Sequence, residues 1–389
     1  MTTNQLTVRE RLMQKAAHAR LPIMSAFELT PACTLNCKMC YVHKSYADVR
    51  QEGGLMDAGQ WLALAAEARD LGLLFPLLTG GEPLLHPQFR EIMAGMQQMG
   101  LQVSINSNAT LIDEPMARWL GHHCPVRINI TLYGASAETY QNLCGDGSAF
   151  EKVHRAVELL QQNHVPVKFN ASITPENVND LDEIIAYAHR VGSPIQVATY
   201  MFPPLRRDAS LVGQNDRLTP EQAGLARVRA DFLQNNPAWF LGQARRFQHF
   251  VPLDQIGAGE DRGPMRISCR AGLCSFWLDW HGNMSNCGMY GSVTVERQGR
   301  PLRDAWQELV EKTAAVRYRP ACAGCPNQPL CHACIAMVHN ECGDLNGRPE
   351  YLCRMNEAAA RYYAEYAARL PDTAEAGEHT DPPADPCEL

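Results

Sequence analysis

The chain has 389 residues, a net charge of −7, an apolar share of 46% and a charged share of 20%. That balance is typical of a soluble globular protein of two or three domains, not of a disordered chain. No basic stripe speaks for a nucleic-acid partner, and no apolar run approaches the roughly 18 residues of a membrane span. The N-terminus, MTTNQLTVRERLMQKAAHARLP, lacks the apolar centre and small-residue cleavage site of a secretory signal. A cytoplasmic protein with reduced thiols is therefore expected. In that setting 15 cysteines point to metal or clusters rather than to a disulfide framework.

An N-terminal helical segment occupies 1–23. Strand-like apolar runs follow at 24–30, 74–79, 101–107, 126–132, 165–173 and 195–201, with helical patterns between them at 57–71, 87–99, 114–120, 150–162 and 178–191. Asp57 can cap the first of these helices. Ser148, with Glu151 three residues on, has the spacing of a capping box. Six β–α alternations with apolar strands predict a parallel sheet covered by helices. Six units are too few for an eight-stranded barrel, so 24–202 is expected to form a partial (β/α)6 TIM-like barrel of the α/β class. Its site should lie in the loops at the C-terminal strand ends.

Residues 203–266 read as a bridge, with a polar helix over 219–235. From 267 to 355 the chain is turn-rich and cysteine-dense, too broken to rest on a large apolar core, and metal is the expected staple. A helix over 356–370 and an acidic, Pro-rich tail at 371–389 close the sequence; the tail's composition predicts disorder.

The cysteines fall into two sets. Residues 30–43, TPACTLNCKMCYVH, directly follow the first strand and hold Cys33, Cys37 and Cys40. Thiolates hold iron–sulfur clusters, and a cubane takes four. Three leave one iron without a protein ligand, and an open metal position is where a substrate or cofactor binds. Three core cysteines or part of a zinc site are the alternatives. The second set is Cys269, Cys274 and Cys287, then Cys322, Cys325, Cys331 and Cys334, with Cys342 and Cys353 beyond. Paired cysteines two to four residues apart suit zinc. Eight thiolates could equally hold two four-iron clusters.

Taken together, these features resemble the radical S-adenosylmethionine enzymes that carry a C-terminal SPASM domain. Cys33-x3-Cys37-x2-Cys40 resembles the superfamily's cluster motif, with Met39 in place of its usual aromatic residue. Gly80-Gly81-Glu82-Pro83, at the end of the second strand, resembles its GGEP motif. The resemblance implies that this stretch holds the amino group of S-adenosylmethionine. Glycines let the backbone approach, and a carboxylate pairs with an ammonium. Residues 107–110, with Ser107 and Asn108, resemble a TNGT turn in which Ala109 replaces glycine. Residues 131–134, beginning at Thr131, resemble a ribose-contacting strand end.

Cys269, Gly282 and Cys287 resemble the first half of the SPASM pattern, and Cys322, Cys325 and Cys331 the second. The resemblance implies an α/β barrel followed by a small cysteine-rich iron–sulfur domain at 267–355, and three [4Fe–4S] clusters. One auxiliary cluster would take Cys269, Cys274, Cys287 and Cys334, with Cys342 as a substitute for Cys334. The other would take Cys322, Cys325, Cys331 and Cys353. The remaining cysteines, Cys124, Cys144 and Cys387, read best as loop, core and tail thiols, although Cys144 and Tyr133 lie near the barrel loops.

The activity implied is reductive cleavage of S-adenosylmethionine to a 5′-deoxyadenosyl radical, which takes a hydrogen atom from a peptide and so installs a crosslink or side-chain oxidation. An external flavodoxin- or ferredoxin-type reductant would supply the electron. With only residues 1–23 ahead of the first strand, leader recognition is expected to need a separate protein or another surface of this chain. Formylglycine formation ranks lower, because Gly288 follows Cys287 where that subfamily carries an aspartate. Asp279 and His281 read as turn residues. A small-molecule radical dehydrogenase and a non-catalytic zinc or electron-carrier protein are the other readings.

Overall fold

The computed structural model describes residues 7–256, 265–267, 269–318, 322 and 324–370. Helix α1 (Val8–Ala19) leads into strand β1 (Met24–Thr30). The chain then runs through α2 (Tyr46–Gln51), α3 (Ala58–Asp70), β2 (Phe75–Gly80), α4 (Phe89–Gln98), β3 (Ser104–Ser107) and α5 (Glu114–His123). It continues with β4 (Arg127–Thr131), α6 (Ala137–Cys144), α7 (Ala149–Gln162), β5 (Val167–Ser172), α8 (Leu181–Arg190) and β6 (Ile195–Ala198). Strands β1 to β6 lie side by side in chain order, and every pair is parallel. Helical crossovers supply the length a parallel connection needs.

The strands are shorter than their apolar runs because burial outlasts pairing. Leu101 and Val103 are core residues that precede the β3 ladder. On β1, Phe27 and Leu29 are fully buried, and Phe27 meets Trp61 of α3 edge-on at 5.7 Å. Alternation then turns Glu28 and Thr30 to the opposite face, inside the curved sheet.

Helix starts follow the capping logic in one place and depart from it in another. Asp57 Oδ1 accepts the Gln60 N–H at 2.8 Å, and Gln60 Oε1 accepts the Asp57 N–H at 2.9 Å, a complete capping box. Ser148 does not cap α7. Its backbone is already helical at φ −68° and ψ −17°, and its hydroxyl donates to Asp146 instead.

Beyond the barrel come α9 (Pro220–Gln234), α10 (Pro237–Phe247), β7 (Ser275–Leu278), β8 (Met284–Cys287), β9 (Tyr290–Val295), α11 (Leu302–Ala315), α12 (Ile335–Cys342) and α13 (Glu350–Ala367). Strand β7 pairs in parallel with β1, from Met24↔Ser275 to Phe27↔Leu278. Strands β8 and β9 add antiparallel, making one nine-stranded sheet. This corrects the expectation that the cysteine-dense segment lacks a large apolar core. Phe276, Leu278, Met284, Val295 and Trp306 belong to the same core as the barrel. A strand laid on the exposed β1 edge also satisfies an edge that would otherwise be open.

The bridge is organised by α13, which begins at Glu350, ahead of the expected 356. Helices α9, α10 and α13 close a second apolar cluster around Phe240, Phe247, Tyr363 and Tyr366. Arg217, from the bridge, pairs with Glu341 of α12 and stacks 3.7 Å from the Tyr351 ring centre, while Tyr200 donates to Glu341 at 2.6 Å. Among the described residues no helix is long and apolar enough to cross a membrane. The 371–389 tail, with Cys387, lies outside the described residues.

Candidate active site

The three-cysteine loop leaves the C-terminal end of β1, at the mouth of the barrel. Burial pushes the Cys33 thiol up to about 12 and raises Cys40. Cys37 goes the other way, chiefly because the Cys144 thiol donates to it. Cys33 and Cys40 accept hydrogen bonds at their sulfurs. Leu35 N–H and Asn108 Nδ2 reach Cys33 Sγ at 3.4 and 3.3 Å, and His43 N–H reaches Cys40 Sγ at 3.3 Å. Buried thiols that receive hydrogen bonds suit anionic sulfur, and a bound metal deprotonates a ligating thiol outright.

Gly80 ends β2 against this loop, and Gly81 follows it. A Cβ on Gly81 would stand 2.3 Å from the Ala32 carbonyl oxygen, and one on Gly80 would stand 2.2 Å from that of Thr30. The absence of side chains lets Gly81 N–H donate to Thr30 O at 2.7 Å and Glu82 N–H to Ala32 O at 2.8 Å. Pro83, itself buried, opens a 3₁₀ turn, Pro83–Leu85.

Glu82 is wholly buried. Its carboxylate accepts Ser107 Oγ at 2.9 and 3.0 Å, Asn108 N–H at 2.7 Å and Leu84 N–H at 3.1 Å. Burial outweighs these donors and pushes its carboxyl up to about 7. Three donors leave one of about four acceptor sites free for an ammonium. Ser107 and Asn108 are thus committed to protein partners, and Asn108 Nδ2 also donates to Thr34 Oγ1 at 2.9 Å. Ala109 takes φ 62°, the left-handed conformation that favours glycine. Thr131 ends β4 in register with Asn170.

The second cysteine set separates into two groups. Cys269, Cys287 and Cys334 lie close enough to feel one another's charge. Cys274 feels Cys269, but its side chain is packed in an apolar cluster with Met13, Ala16 and Ile23. Cys322, Cys325, Cys331 and Cys353 form the other group. Arg348 Nε and Asn356 Nδ2 donate to Cys353 Sγ at 3.5 Å and Cys331 Sγ at 3.6 Å. Cys342 feels the charge of Cys353. Among the described residues no three side chains gather as tightly as one metal ion requires.

One arrangement is absent from the sequence reading. Arg206, from the bridge, holds Glu28 through both guanidinium nitrogens and reaches the Gly288 carbonyl at 3.3 Å. It also lies over the Tyr41 ring, 5.6 Å from its centre. Tyr41 follows Cys40 and Gly288 follows Cys287, so this cation stands between the two cysteine loops. The available signal was a lone Glu28 in the apolar run MSAFELT, because a buried carboxylate requires a partner.

Residues 27–188 match the Radical SAM superfamily. Those residues are a radical SAM domain, and the chain is an enzyme. It is 23% identical over 332 residues to the AdoMet-dependent heme synthase of Methanosarcina barkeri, spanning 79% of this chain and 92% of that protein. To the PqqA peptide cyclase of Gluconobacter oxydans it is 23% identical over 54% of this chain and 58% of the cyclase. The crystal structure of SuiB from Streptococcus suis superposes with a TM-score of 0.62 at 14% identity, covering 90% of this chain and 84% of SuiB. SuiB has also been solved bound to its precursor peptide SuiA. This likeness shows the fold: a partial radical SAM barrel with a cysteine-rich C-terminal region.

Proposed function

We propose that this radical SAM enzyme modifies a peptide held in the barrel mouth. Cys33, Cys37 and Cys40 would each ligate one iron of a [4Fe–4S] cluster. Gly80, Gly81, Glu82 and Pro83, with Ser107, Asn108 and Thr131 around them, would receive S-adenosylmethionine. The observation that carries the assignment is the bond network from Glu82 through Asn108 to Cys33. It fixes the carboxylate for the cofactor's ammonium and the first cluster sulfur in one rigid unit. When bound, the cluster and S-adenosylmethionine supply a 5′-deoxyadenosyl radical for hydrogen abstraction. The protein's part is to orient the cofactor and to exclude water.

Cys269, Cys274, Cys287 and Cys334 would serve one auxiliary cluster, and Cys322, Cys325, Cys331 and Cys353 the other. Fully ligated, these would pass electrons from an external flavodoxin- or ferredoxin-type reductant. The peptide reading is supported by the cyclase, whose name records a peptide, and by SuiB, solved bound to a precursor peptide. A second reading, a precursor of heme, is favoured by the heme synthase match, which runs over more of both chains. Anaerobic assays of 5′-deoxyadenosine formation separate the two. Stimulation above the uncoupled background by candidate peptides and not by heme precursors supports the first, and the reverse result replaces it with the second.

A further inference from the structure

We propose that the open edge of β6 takes up a segment of the peptide substrate as an added strand, held by main-chain hydrogen bonds. This rests on the peptide reading of the barrel mouth. Strand β6 ends the nine-stranded sheet on one side, and β9 ends it on the other. Phe169 N–H donates to Pro194 O and Ile173 N–H to Ala198 O, both at 2.8 Å. Between these bonds the register runs from Phe169↔Ile195 to Ser172↔Ala198 without a shift. Main-chain groups of alternate residues point to the same side of a strand, so Pro194, Gln196 and Ala198 serve β5. The N–H and C=O groups of Ile195 and of Val197 point away from it. Among the described residues no hydrogen bond reaches these four groups.

A row of unpaired main-chain groups is a template for another strand, and proteins blunt such edges with lysine, proline, bulges or inward charges. Strand β9 is blunted in this way. Lys312 Nζ donates to Thr294 O at 3.2 Å, and Thr294 Oγ1 donates to Gly291 O at 2.9 Å. Strand β6, with the sequence IQVA, has no charge, no proline and no bulge. None of its residues is buried, and Ala198 is exposed.

The edge also lies close to the chemistry. Thr131, Asn170 and Gln196 form one row of the sheet, from the end of β4 that would receive S-adenosylmethionine, across β5, to β6. Side chains on this row face the inside of the curved sheet, since Ile130, Phe169 and Ala171 take the buried outer face. A strand added beside β6 would lie about 4.8 Å from it and send alternate side chains to that same inside. Main-chain pairing then supplies the grip, and every second side chain is aimed into the barrel. A tetrapyrrole has no run of N–H and C=O groups and cannot pair in this way.

The test uses the anaerobically reconstituted full chain and peptides selected on it from a phage-displayed library of short random sequences. Amide hydrogen exchange, read residue by residue, should slow about tenfold or more at Ile195 and Val197 when a selected peptide is bound. Peptide affinity is then measured by fluorescence anisotropy. V197P deletes one outward N–H and none of the bonds to β5, a change an edge strand tolerates. It should bind the peptide about tenfold more weakly, the order of one main-chain hydrogen bond. V197A keeps the N–H and should bind as wild type does. Exchange at Ile195 and Val197 unchanged by bound peptide, or V197P binding as tightly as V197A, overturns the proposal and leaves the peptide reading standing. Should V197P fail to fold, the exchange measurement on wild type decides alone. If no library peptide is retained, the peptide reading itself fails and the proposal falls with it.

Discussion

Arg206 meets the fully buried Glu28 through both guanidinium nitrogens, at 3.0 and 3.1 Å, and Trp277 Nε1 completes the carboxylate at 2.7 Å. One residue from each of three parts, β1, the bridge and β7, is locked by this contact. Burial raises the Glu28 carboxyl, and Arg206 is the largest influence holding it down.

Removing Arg206 should therefore leave an uncompensated buried carboxylate. R206A is expected to lose about 3–5 kcal/mol of stability in urea denaturation. The double variant E28Q/R206Q should lose less than R206A alone, since no charge is then stranded. The sign with pH is fixed. A carboxyl raised in the folded state contributes stability below its ordinary 4.5 and loses it as pH rises through the folded value. Without Arg206 the carboxyl rises further, so the R206A deficit should widen with increasing pH above about 4.5.

Glu82 gives a second pH dependence. Its carboxyl, pushed up to about 7 from 4.5, contributes stability below pH 4.5 that is lost as pH rises through 7. E82Q should flatten that part of the stability–pH curve. Cofactor binding should run the other way, because only the carboxylate pairs with the ammonium. Wild-type affinity for S-adenosylmethionine, measured by calorimetry, should rise through pH 7, and E82Q should bind roughly tenfold or more weakly, from the loss of a charged hydrogen bond.

Gly81 offers a steric test. The Cβ of G81A would sit 2.3 Å from the Ala32 carbonyl oxygen, next to Cys33. The loop must move, and its cluster should be lost while the auxiliary sets remain. Iron analysis should return roughly two-thirds of the wild-type content, given four irons per cubane.

Much of the barrel was legible because strand period and helix period alternate without interruption from 24 to 201. The cysteine spacings and the Gly80–Gly81 stretch were legible because chemistry fixes them locally. What escaped depends on long-range pairing. The addition of β7 to the β1 edge leaves no local signature, since Ser275–Leu278 is a four-residue strand. Cys144 lies far along the chain from Cys37 and resembles any core cysteine until the end of α6 is docked. Ser148 misled because the right residue type stood at the right spacing while Asp146 took its hydroxyl.

The central claim is that Cys33, Cys37 and Cys40 hold the cluster that acts on S-adenosylmethionine. Its most direct measurement is 5′-deoxyadenosine formation by the reduced, anaerobically reconstituted protein beside its C33A/C37A/C40A variant. The wild type should form 5′-deoxyadenosine. The variant should keep roughly two-thirds of the iron and form none. A fully reconstituted wild type that forms none, or a variant that matches it, would contradict the account.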